Sequence, residues 1–149
     1  MKSKITSILT IIFLWSMAIG LFPENCSAQS YENKEITLHG TYAWFFDHEQ
    51  IEQEGKFNTV VILDDNYILW GKVDDETVNF EDIEMSPIGM FSITEAHSFN
   101  LEFIGNCTSL DGDVYLFHVN FGKKRFSLFR KESQTGIMIG FEEYKINDK

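Results

Sequence analysis

Residues 36–46 read I-T-L-H-G-T-Y-A-W-F-F. Every second position, namely Ile36, Leu38, Gly40, Tyr42, Trp44 and Phe46, is apolar or glycine, while Thr37, His39 and Thr41 fall between them. A period of two places the first set on one face of an extended chain, whereas helical spacing would scatter it around a cylinder. The stretch therefore predicts a β-strand with one buried face. The pattern recurs in Phe99, Leu101 and Phe103, which alternate with Asn100 and Glu102. It recurs again in Tyr115, Phe117, Val119 and Phe121, which alternate with His118 and Asn120 at two of the positions between.

Outward from these strands, residues 57–63 contain the run Val60, Val61, Ile62 and Leu63, whose β-branched members favour a strand covered on both sides. Asp64, Asp65 and Asn66 then form a turn before residues 67–73. Another strand is expected over residues 88–94. Asp111 and Gly112 mark a tight turn, and Gly122, Lys123 and Lys124 separate residues 114–121 from 125–131. Residues 133–136 precede a last strand over 137–146. Residues 47–56 are polar and read as a loop or helical turn, and residues 74–86 as a weak strand. About eight or nine short strands at hairpin spacing predict an all-β fold, a small antiparallel up-and-down barrel, with a β-sandwich as the alternative. Barrel closure pairs every strand edge and so guards against edge-to-edge aggregation.

The first 28 residues have the parts of an export signal: Lys2 and Lys4, an apolar run over residues 8–22, and the small residues Ser27 and Ala28. Cleavage after Ala28 is expected, giving a secreted or periplasmic product with a single β-rich domain over residues 29–149. An uncleaved membrane anchor is disfavoured, because Thr6, Ser7, Thr10 and Ser16 dilute a run that only just reaches spanning length. Lipidation of Cys26 is not expected, because Pro23, Glu24 and Asn25 stand where a lipoprotein signal has small residues. Removal of residues 1–28 from 149 leaves 121, enough for one independent core. Cys107 is then the single cysteine, so no intramolecular disulfide can form, and a buried, inert thiol is expected. Asn106, Cys107 and Thr108 form an N-x-T pattern that matters only in a eukaryotic secretory pathway.

The whole chain has 23 acidic and 12 basic residues; without Glu24, Lys2 and Lys4 the counts are 22 and 10, a net charge of −12. Such a surface repels phosphate backbones and anionic lipid, so neither nucleic acid nor a membrane surface is an expected partner.

Of 22 aromatic residues, Phe13, Trp15 and Phe22 belong to the leader, leaving 19 in the domain. They can line a pocket or fill the barrel. Tyr42, Trp44, Trp70 and Phe103 are the candidate pocket residues. Gly40 and Trp44 on an early strand, a meander after them, and Arg130 on a late strand resemble the layout of lipocalin-type β-barrels. In that family a first-strand tryptophan packs against a basic residue from near the end of the barrel. The resemblance implies a carrier of an apolar molecule with Arg130 as the closing cation, although the spacing here is Gly-x-x-x-Trp rather than Gly-x-Trp.

No cofactor or metal is expected. His39, His48, His97 and His118 lack the i, i+2 or i, i+4 pairing that commonly gathers metal ligands, and they read as surface or turn residues. The acidic groups at Asp64 and Asp65, at residues 74–76, and at Asp111 and Asp113 lack a full calcium loop and read as solvated turns. There is no G-x-S-x-G elbow, so an enzyme is not expected. The expected function is a small exported barrel that binds an apolar small molecule. The alternative is a structural or interaction protein with a filled core that contacts another exported protein.

Overall fold

The computed structural model describes residues 31–48, 50–73 and 85–149. The expected leader, Cys26 and the acidic group at 74–76 lie outside the described residues, as does nearly all of the weak strand expected over 74–86. Eight antiparallel strands follow one another: β1 (Lys34–Asp47), β2 (Gln50–Leu63), β3 (Tyr67–Lys72), β4 (Ser86–Phe99), β5 (Glu102–Ser109), β6 (Val114–Asn120), β7 (Arg125–Arg130) and β8 (Gly136–Asp148). Each pairs with the next, and β8 returns to pair with β1, so the sheet closes into an up-and-down barrel rather than a sandwich.

All eight strands send side chains into one core. It includes Ile36 and Leu38 of β1, Val61 and Leu63 of β2, Phe117 and Val119 of β6, and Ile137, Ile139 and Phe141 of β8. Aromatic rings meet across it, Phe103 edge-on to Phe117 at 5.3 Å and Phe91 edge-on to Tyr115 at 5.1 Å. An eight-stranded barrel is just wide enough for its own side chains to fill it. Tyr31 stoppers the end where β1 begins, stacked on Phe121 at 5.1 Å. Burial, and then the nearby Tyr144, push its phenol up to about 12, so it stays a neutral donor to the Asn100 carbonyl.

Three sequence expectations are corrected. First, the β1 ladder slips by one residue at Thr41: Gly40 pairs with Phe141 and Tyr42 with Gly140. The side-chain alternation changes phase there, as a one-residue slip requires. Ile36 and Leu38 point inward as expected, but Ala43 and Phe45 follow them, and Tyr42, Trp44 and Phe46 turn outward. Second, Phe99, Leu101 and Phe103 do not share a strand. Asn100, at φ 52°, turns the chain between β4 and β5 and leaves Leu101 exposed. Third, Gln50 to Lys56, read as a loop or helical turn, is the first half of β2, paired to β1 and, among the described residues, to no other strand, and polar except for the exposed Ile51.

β3 is the irregular part of the wall. It has 6 residues between two strands of 14. Its ladder with β4 stops at Tyr67 and Ser92, with one further bond from Ile93 N–H to the Asn66 carbonyl. Beyond that point β4 has β5 on one side and, among the described residues, no strand on the other.

Candidate functional site

The five sequence candidates do not converge on one site. Trp70 and Phe103 belong to the filled interior; the Trp70 indole N–H donates to Thr59 Oγ1 at 2.7 Å, and Thr59 is itself buried. Tyr42 and Trp44 sit on the outer wall with ring centroids 4.7 Å apart. Trp44 and Met138 pack against Phe46 and Phe129 in a second, external cluster. A Cβ at Gly140 would lie 3.2 Å from Arg125 Nη1 and 3.4 Å from the Trp44 ring, so the glycine sits directly beneath this pair. The cation over Trp44 is the Arg125 guanidinium, 5.1 Å from the ring centroid. Arg130 instead donates to Asp113 Oδ1 at 2.7 Å. A tryptophan of the first strand thus meets a late arginine, but on the outside of the barrel and from a different position.

Three groups expected at the surface or in solvated turns are largely buried: Asp64, His118, and His39, which is 9% exposed with Nε2 2.6 Å from Asn58 Oδ1. Asp64 is 1% exposed, pairs with Lys149, and accepts backbone N–H bonds from Asn66 and Tyr67. Burial pushes its carboxyl up, but Lys149 and the two N–H donors outweigh that and hold it below its ordinary value. On the β5–β6 wall, Glu102 is 8% exposed and lies 2.8 Å from His118 Nε2, with Asn120 donating to the same oxygen. Burial holds the His118 ring below its ordinary value, partly offset by Glu102. Below pH of about 6.5 the unfolded chain binds the proton that the folded ring resists, so stability falls as pH drops through that window. Urea midpoints should therefore decline from pH 7 to 5, and His118→Gln should flatten the decline. An unchanged slope in that variant would refute the assignment.

Cys107 is fully buried, and burial pushes its thiol up to about 12, which leaves no thiolate for chemistry. Among the described residues, no three His, Cys, Asp or Glu side chains are grouped to hold a metal.

What remains for recognition is the outside. Near the β5–β6 turn the wall carries Ile88 (45% exposed), Met90 (49%), Leu110 (85%) and Val114 (42%). Met90 pairs with Leu69, and the Phe91–Ser109 pairing brings Leu110 beside it. At the opposite end, the gap beside β3 opens a cleft of about 340 Å³. Tyr31, Ile93, Ala96 and Phe103 give it apolar surface, and Glu32, Asp65 and Glu95 line it as well. The His97 ring and the Asn106 amide hold the Glu95 carboxyl below its ordinary value. No family model, curated protein or solved structure matches the chain.

Proposed function

We propose that this protein is an exported, non-enzymatic interaction module that works through its outer wall. The observation that carries the reading is the exposed apolar row Ile88, Met90, Leu110 and Val114 on an otherwise strongly acidic domain. Large apolar side chains gathered on a soluble surface mark sites of association. The packed interior supports the same reading, because it already holds the side chains that would line a carrier's pocket. The partner is another exported protein or a second copy of the chain. Export itself rests on the leader-like first 28 residues.

A photocrosslinker placed at Val114 in exporting cells tests the proposal. One discrete adduct is expected, reduced roughly tenfold when Met90→Glu and Leu110→Glu are combined. The urea midpoint of that double variant should stay within about 0.5 kcal/mol of the parent, since both side chains are at least half exposed or nearly so. A diffuse smear in place of the adduct would remove the support for the row. Stoichiometric release of a small molecule on organic extraction would favour the carrier. That second reading draws on the cleft at Phe103, which exceeds the roughly 300 Å³ at which ligand pockets begin.

A further inference from the structure

We infer that the cleft beside β3 is a strand-addition site for an extended, basic segment of a partner polypeptide. The inference deepens the interaction reading and names a second surface for it. The first ground is backbone. From Glu95 to Phe99, β4 pairs with β5 on one side and, among the described residues, faces no strand on the other, the Tyr31 N–H donating to Ser98 Oγ within the cleft. The last bond of the β3 ladder, from Ile93 N–H to the Asn66 carbonyl, marks the point from which an added strand would continue it. A row of strand groups without a neighbouring strand is a template for an incoming one, and main-chain bonds then supply much of the affinity.

The second ground is shape. The opening is a cleft of about 340 Å³ rather than a flat edge, and its apolar floor of Ile93 and Ala96, with the buried Tyr31 and Phe103 behind them, suits alternate side chains of an extended segment. The third is charge. Glu32, Asp65 and Glu95 line the cleft, the Glu95 carboxylate also held by His97 and Asn106, and its described lining includes no lysine or arginine. A strand whose other face carries lysine or arginine complements that rim, and the acidic domain as a whole speeds its approach.

The test titrates the purified protein with a short capped peptide of alternating valine and lysine. Calorimetry gives affinity, and backbone amide shifts give location. Saturable binding is expected, with the largest shifts in residues 94–98. The same peptide N-methylated at alternate nitrogens keeps its charge but cannot pair, and should bind on the order of tenfold more weakly or worse. Combining Asp65→Asn with Glu95→Gln should weaken binding by a few fold, because rim charges contribute modestly. The Leu110→Glu variant should bind as the parent does.

Several results overturn the proposal. Equal binding of the N-methylated peptide, or of spermidine, would reduce the cleft to a plain cation site. Displacement of the peptide by an apolar dye seated in the cleft without any shift along β4 would assign it to a small molecule. Loss of peptide binding in Leu110→Glu alone would move the peptide to the apolar row, so the strand-addition site would fall while the interaction reading stood. No binding at all removes this site and leaves the crosslinking result to decide the other.

Discussion

Replacing Gly105 with alanine is expected to cost at least about 3 kcal/mol, the larger part of what many domains of this size have in reserve. Gly105 lies on β5 where the β4 ladder slips between Ile93 and Glu95. That slip turns the Glu95 carbonyl over the glycine: a Cβ there would sit 1.9 Å from the Glu95 oxygen and 2.9 Å from Ala96 Cα. Both are backbone atoms, so relief requires moving a strand. Gly40 is the internal control. Its Cβ would meet Ile139 Cγ2 at 2.3 Å and Thr59 Cγ2 at 2.7 Å, methyls of buried β-branched side chains rather than backbone, so relief needs a side-chain shift and not the movement of a strand. Gly40→Ala should therefore be destabilising but milder. Urea unfolding of both variants checks the order, and a Gly105→Ala midpoint within error of the parent would show that the β4 slip is not rigid.

Phe117→Ala is expected to cost about 3–5 kcal/mol, the range for deleting a buried phenyl ring when its surroundings relax only in part. Phe117 has no exposed surface, meets Phe103 edge-on, and belongs to the core to which all eight strands contribute. The closed wall limits collapse into the space. Phe117→Leu keeps most of the volume and should cost about 1.5 kcal/mol or less. The void left by alanine should stay dry and take up benzene, raising the thermal midpoint of that variant but not of the parent. A parent that responds equally would mean that the interior is not filled.

The fold was legible where a strand buries one face, as β6 does at Phe117 and Val119 between half-buried neighbours, because that writes period two into the chain. Tyr115, Phe117 and Val119 were placed correctly, as were the turns at Asp64 to Asn66, at Gly112 with its φ of 88°, and at Lys124 with φ 55°. What could not be read was phase. A ladder slip costs one residue and changes no composition, so nothing in G-T-Y-A-W-F announces that Tyr42 and Trp44 leave the interior. Alternation itself misled at Phe99 to Phe103, where a two-residue turn keeps the parity of a continuous strand. Gln50 to Lys56 went unread for the opposite reason: it pairs with β1 alone among the described residues, buries neither face, and so has no apolar pattern to display. Tyr42 and Trp44 left the interior with that change of phase, whereas Trp70 and Phe103 remained inside. Asp64 carried no local signal, because its partner Lys149 is 85 positions away and only the fold brings the two together. The cleft was equally invisible, since it arises from the difference in length between β3 and its neighbours.

The pairing of β1 with β8 also sets a clock. Lys34 and Asp148, opposite each other in the closed wall, are 114 positions apart. A chain delivered from its amino end can zip its first hairpin early, yet the outer margin of that hairpin stays bare until the final residues arrive. Long-range pairing of this kind is slow to form, and unsatisfied margins invite capture by identical chains. The hazard lasts until β8 is made, and a nonsense codon ahead of β8 would prolong it indefinitely, yielding polymers of otherwise sound sequence.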